Sequence, residues 1–402
     1  MTADARLGSL ASLCVKVGLN LQPRQELIIT APVEAQALVH GITTVAYRAG
    51  AKLVTCLYED PPAIRARFDH AAEETLECAA GWLSHGVTRA LESGAARLFI
   101  YGPYPDLLAG VAPARVARMH AAMAAATQAE AAFTADLRVN WCAVPYVTES
   151  WARMVYPDDA HAVRRLWNDV FDVLRIGDFD PIDAWQAHLG ALNTRREALQ
   201  SHQLRALHFF DGDTDITIGL ADGHRWVGGS AVAANGVRAV CNMPTEEVFT
   251  CPHRERADGR IVVSRPLALG GAVVEGLVLT FRGGRIVATQ ATRGKEMIDV
   301  LLSSDDGAQR LGEVGLVPHS SLIATKRLLF YNTLLDENAA SHVAFGQSYS
   351  ACLSTGLTPQ AAGANSSSLH IDCMLGNESM NVDGILPDGN TLPLMRAGEF
   401  TI

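Results

Sequence analysis

Residues 365–380, NSSSLHIDCMLGNESM, set His370 and Asp372 two positions apart inside an apolar run. In a β-strand residues i and i+2 share a face, so His370, Asp372 and Met374 fall on one side, with Leu369, Ile371 and Cys373 on the other. A neutral imidazole beside a carboxylate is either a hydrogen-bonded polar pair or half of a metal site. Further carboxylates and imidazoles lie upstream. NMPTEEVFTCP (242–252) places Glu246 and Glu247 between Met243 and Val248–Phe249, and neighbours on a strand face opposite ways, so at most one of the two serves a shared site unless the chain turns. RLGEVGLVP (310–318) sets Glu313 in apolar surroundings beside two glycines, where a carboxylate is costly unless paired or bound to a cation. FYNTLLDENAASHVAFGQSYS (330–350) adds Glu337, His342 and Tyr349. The pattern of 339–347 predicts a helix, with His342 and Tyr349 two turns apart on nearly one face. Glu337, five residues before His342, joins them only if it lies ahead of that helix. Each residue also has an ordinary explanation: a surface strand position for Glu247, a capping carboxylate for Glu313, a satisfied core histidine for His342, plain packing for Tyr349. A mixed His/carboxylate set without cysteine suits zinc, cobalt, manganese or iron rather than a structural thiolate site.

The elements that must position these groups fall into two textures. ELIITA (26–31) and KLVTCLY (52–58) are β-rich runs around EAQALVHGITTVAYRAG (34–50), which has helical apolar spacing and a closing glycine; that βαβ unit implies a parallel sheet. ARLFIYG (96–102) and an Ala-rich helix over 113–132 repeat the theme, and 162–176 reads as an amphipathic helix. Asp180–Pro181 opens a polar helix, read either as the connection between domains or as another surface helix. Beyond residue 200 the runs RALHFF, DITIGL, RAVCNM, RIVVSRPLAL and VVEGLVLTFRGGRIVATQA are strand-like, the last with a Gly283–Gly284 hairpin signature, and short helices are expected near 294–303 and 337–348. The expected architecture is an α/β domain with a parallel sheet over 1–185, then an α+β domain over 186–402 whose curved, mainly antiparallel sheet carries the metal site.

The chain has 402 residues, too many for one ordinary core, and a net charge of −10 that argues against a nucleic-acid or anionic-membrane surface. Eight scattered cysteines without a C-x-x-C pair suggest reduced thiols and a cytoplasmic setting. The first apolar stretch carries Asp4, Arg6 and Lys16, unlike a secretory h-region, and no run is long enough to span a membrane. GPYPDLLAG after the 96–102 strand lacks a phosphate-binding glycine pattern, so a nucleotide site is not expected.

Taken in order, LCVKVGLNLQPRQELIITAPVEA (13–35), AYRAGA (46–51), WARMVYPD (151–158), TDITIGLADGHRWVGG (214–229), NMPTEEVFTCPHR, RLGEVGLVP, FYNTLLDENAASH and HID resemble the bacterial metalloaminopeptidase family of aminopeptidase T and aminopeptidase S, the thermophilic-type metallopeptidases. The resemblance implies a two-domain cytosolic enzyme that dimerises and uses two divalent metals to remove an N-terminal amino acid. It implies metal ligands Glu247, Glu313, His342, His370 and Asp372, with Glu337 as a sixth, and Tyr349 as the catalytic tyrosine. The chain departs from the family pattern at RPLALGG (265–271), where Leu269 replaces an aromatic, and at HSSLIATKR (319–327), changes that would reshape the substrate pocket.

On this basis the expected chemistry is hydrolysis of a peptide bond by metal-activated water, with Glu313 bridging two ions, Glu246 or Glu313 carrying protons and Tyr349 supporting the oxyanion. Three negatives from Glu247, Glu313 and Asp372, and a fourth from Glu337, match two divalent cations. Alternatives are a hydrolase of a specialised non-peptide amide, a mononuclear iron ring-cleaving dioxygenase built on His342, His370 and Asp372, and a binding protein with a structural metal.

Overall fold

In the computed structural model, which describes residues 2–269, 272–354 and 356–402, the chain forms two compact units. One comprises residues 1–186 and 230–243, the other 187–229 and 244–402. Residues 230–243 therefore return to the first unit, a chain excursion absent from a single cut at 185/186.

The first unit is built on parallel strands β1 (Glu26–Pro32), β2 (Leu53–Glu59), β3 (Ala96–Tyr101) and β4 (Trp141–Pro145) in the order β2-β1-β3-β4. Helix Gln36–Arg48 makes the β1–β2 crossover and buries Leu38, Val39, Ile42 and Ala46, the i, i+1, i+4, i+8 stripe of an amphipathic helix. Ile28, Val87, Leu91, Ala95 and Val139 form a core cluster on this sheet. RAVCNM, expected as a strand of the second domain, contributes a two-residue strand (Arg238–Ala239) and hydrogen bonds from Ala143 N to Cys241 O and from Met243 N to Ala143 O.

In the second unit the antiparallel strands gather into two main sheets. The larger runs Arg285–Gln290, Val278–Arg282, Pro252–Val262, Asp215–Leu220, Ala206–Phe210, Asn381–Ile385, Thr391–Arg396, Glu399–Phe400. Its Gly283–Gly284 turn has positive φ at both glycines, the geometry that a two-residue hairpin demands. The smaller sheet has the order His370–Met374, His342–Gly346, Leu311–Leu316, Val248–Thr250, Val227–Gly228. Val314, Leu316, Val343, Phe345, Ile371 and Cys373 of the smaller sheet join Phe209, Ile216, Ile218, Ile261, Leu279 and Val382 of the larger in one hydrophobic core. One face of the smaller sheet is thus committed to the core.

The helix expected over 337–348 is not formed. Glu337–Ala339 is a short 3-10 turn and His342–Gly346 a strand with every residue buried. A strand buried on both faces has apolar residues at every position, and a short uninterrupted run of that kind carries no period to distinguish it from a helix. The helix expected near 294–303 is present as Lys295–Leu302. Of the RPLALGG departure, Gly270 and Gly271 lie outside the described residues; Leu267–Leu269 forms a small antiparallel pair with Ala272–Val274.

Candidate metal centre

The face of the five-stranded sheet opposite the core carries the polar set. Pairing places Glu313, Ala344 and Asp372 in one row, Gly315, His342 and Met374 in the next, and Gly346 beside His370. A register shift between Leu311 and Glu313, at Gly312, is a bulge that sets the alternation of this strand. Small residues fill the positions between the polar ones: a Cβ on Gly315 would stand 2.5 Å from the His342 ring, so glycine there leaves the imidazole its space. Glu247 comes from the irregular segment that enters Val248–Thr250, and Glu337 from the 3-10 turn ahead of His342.

Glu247, Glu313 and His342 each offer one donor atom, and these atoms lie within 4.8 Å of one another. Nε2 of His342 is 3.1 Å from Glu247 Oε2 and 3.5 Å from Glu313 Oε1. The other oxygen of Glu313 is 3.5 Å from Nε2 of His370, which is itself 3.4 Å from Asp372 Oδ1. Glu313 therefore stands between two His/carboxylate groups with one oxygen toward each. Nδ1 of His342 lies 3.1 Å from Ala340 O, and Nδ1 of His370 lies 2.7 Å from Gln347 O. A main-chain carbonyl only accepts, so both Nδ1 atoms carry hydrogen and both Nε2 atoms are turned into the cluster, the orientation that carbonyl partners impose on metal-binding histidines.

Glu313 is 4% exposed and His342 1%. Burial raises the carboxyls of Glu313 and Glu337, the latter well above the usual range with the charges of Asp372 and Glu247 adding to it. Burial works against protonated imidazoles, but the adjoining carboxylates prevail: Glu247 and Glu313 hold His342 well up, and Asp372 and Glu313 hold His370 at about 9. Burial also opposes ionised Asp372, yet its contact with His370 keeps it below the usual value. The cluster thus demands positive charge: in the absence of a cation the carboxylates draw protons onto both rings. The converging Nε2 atoms and the excess of buried carboxylates fit a site for divalent cations.

Tyr349 lies beyond the His342 strand in the loop before Ser350–Cys352, not on a shared helix face. Its ring is 4.9 Å from His370 and 6.1 Å from Phe249, and the residue remains 42% exposed. Burial of the phenol and the charges of Glu313, Asp372, Glu337 and Glu247 raise its pKa, so it stays a donor. Glu246 has its own contacts: its Oε2 is 3.8 Å from His188 Nε2, its charge acts on Arg195, and its N–H donates to Asn338 Oδ1. The structure thus brings Glu247, Glu313, Glu337, His342, His370 and Asp372 together, and Glu246 is linked to Glu337 through Asn338, whose Nδ2 donates to Glu337 Oε1. Sequence reasoning did not find Gly315, Ala344 or the carbonyls of Ala340 and Gln347. The glycine beside Glu313 in GEVGL was the only local sign, because carbonyl partners leave no residue-type signature.

A family model described as thermophilic metalloprotease (M29) matches residues 3–400. Aminopeptidase T of Thermus thermophilus is 45% identical over 98% of both chains, and aminopeptidase 2 of Geobacillus stearothermophilus 39% identical over 99% of this chain and 98% of its own. The solved structure of wild-type AmpT from Thermus thermophilus superposes with a TM-score of 0.95 at 44% identity, covering all of both chains.

Proposed function

Since the chain belongs to the M29 family of thermophilic metalloproteases and is a metal-dependent aminopeptidase, we propose that it works with two divalent cations (zinc, cobalt or manganese). The ligands we assign are Glu247, Glu313 and His342 on one side and Glu313, His370 and Asp372 on the other, with Glu337 completing the set. The observation that carries this reading is the placement of Glu313, one oxygen toward each imidazole. Such ions, when bound, supply Lewis acidity toward the scissile carbonyl and a water acidic enough to give hydroxide near neutral pH.

The chain's own residues do the rest. The proton that must travel from the attacking water to the leaving nitrogen is carried by a carboxylate, either Glu246, whose Oε2 is 3.8 Å from His188, or Glu313 itself where one of its oxygens is released. Tyr349, half-exposed at the rim and held protonated, donates to the oxygen on which negative charge develops. An ion held here would also take a free, neutral α-amine as a ligand, in keeping with removal of the first residue of a peptide. A mononuclear iron oxygenase would leave Glu247 and Glu313 without a role. The homodimer and cytoplasmic setting implied by the family belong to the same proposal, and eight free cysteines support a reducing compartment.

The test is release of free amino acid from a leucyl dipeptide and from its N-acetylated form. Cleavage of the first alone, abolished by a chelator and restored by zinc, cobalt or manganese, is the expected result. Equal cleavage of both, or of non-peptide amides in preference to either, would contradict it.

A further inference from the structure

Residues 366–368, which deliver the His370–Met374 strand to the sheet, are held by a carboxylate outside the ligand set. Asp305, just after helix Lys295–Leu302, accepts hydrogen bonds from Ser367 Oγ (2.8 Å to Oδ1, 3.0 Å to Oδ2), Ser368 N (2.8 Å) and Ser368 Oγ (2.7 Å), while Ala308 N donates to Oδ1 at 2.8 Å. From the opposite side Gln347 Oε1 accepts from Ser367 N at 2.9 Å, and Gln347 N donates to Leu369 O at 2.7 Å. The carbonyl of the same Gln347 receives the Nδ1–H of His370. Gly346, with φ +112, lets the end of its strand come so close to Leu369 O that a Cβ would collide with it.

From these contacts we propose that Asp305 is a positioning residue for the His370–Asp372 half of the metal centre, an inference that rests on the metal reading above. The serine run has no side chain large enough to fix itself by packing, so its place is set by what it bonds to. Asp305 fixes it from the outside, Gln347 from the inside, and the next residues are the ligand pair. Ser367 and Ser368 meet both oxygens of Asp305, so the carboxylate determines where the strand begins and, two residues on, where Nε2 of His370 points. Removing it frees the entry to this strand first, through four contacts, and takes one acceptor from Ala308 N in the turn ahead of Leu311–Leu316. Glu247 and His342 come from elements that none of these Asp305 hydrogen bonds reaches.

The experiment compares full-length wild type, Asp305→Ala and Asp211→Ala. Asp211 is a control of similar kind in the same unit, accepting from Asp213 N, Thr214 N and Asn377 Nδ2. Hydrogen exchange of the metal-free proteins is read over residues 366–372, and Co2+ titration follows each binding step. Asp305→Ala should speed exchange in that segment and weaken one of the two steps by about 10–100-fold, leaving the other in place; Asp211→Ala should do neither. Unchanged exchange, faster exchange with unchanged affinities, or equal weakening in both variants would overturn the proposal. A wild type that takes up no second ion would contradict the two-cation reading by itself, while the exchange rates still judge Asp305.

Discussion

His342 and His370 each commit Nδ1–H to a carbonyl and aim Nε2 at carboxylates, so without metal a proton must sit where a cation would. The sign of a linked effect follows. His370 is held at about 9 by Asp372 and Glu313, so without metal its ring is protonated at pH 7, and Glu247 and Glu313 push His342 the same way; burial also favours protonated Glu337 and Glu313. Ligands must be deprotonated to bind, so metal uptake at pH 7 should release protons and apparent affinity should fall as pH is lowered. Calorimetric titration in buffers of different ionisation enthalpy reads this directly, and binding heats independent of buffer would speak against it. Tyr349→Phe keeps the ring against His370 and removes only the donor. Metal content should be unchanged while kcat falls about 10²–10³-fold, the loss typical of one oxyanion donor.

The strand His342–Gly346 works at the scale of an element because its alternate residues serve opposite purposes. Val343 and Phe345 face the core between the two sheets; His342, Ala344 and Gly346 face the ligands. Phe345→Ala should cost about 3–5 kcal/mol of stability, seen as a lower thermal midpoint, with metal affinity of the folded protein largely kept. Ala344→Leu, set between Glu313 and Asp372, should do the reverse, expelling metal at a smaller cost in stability. If both substitutions altered only stability, the division of faces would be wrong. The same strand marks the limit of what the sequence disclosed. HID was legible because polar and apolar residues alternate there with period two. AASHVAFGQ was not, because burial on both faces erases the period, and the bulge at Gly312 that aims Glu313 follows from pairing rather than from local residue type.

At the scale of the whole molecule, the change from alternating strand and helix to antiparallel strands was readable near residue 200, since both textures rest on local periodicity. The return of residues 230–243 to the first unit was not. It depends on backbone bonds such as Val240 N to Gly18 O and Ala143 N to Cys241 O, which no side-chain pattern announces. Among the described residues no helix is long and apolar enough to cross a membrane. The negative total of −10 includes four carboxylates gathered around two histidines, and this concentration is tolerable only with compensating charge. The most direct test is equilibrium dialysis of chelator-stripped protein against zinc, with Glu313→Gln alongside. Two ions per wild-type chain, and loss of most of that metal in the variant, are predicted. Saturation at one ion, or full occupancy in Glu313→Gln, would contradict a shared two-metal centre.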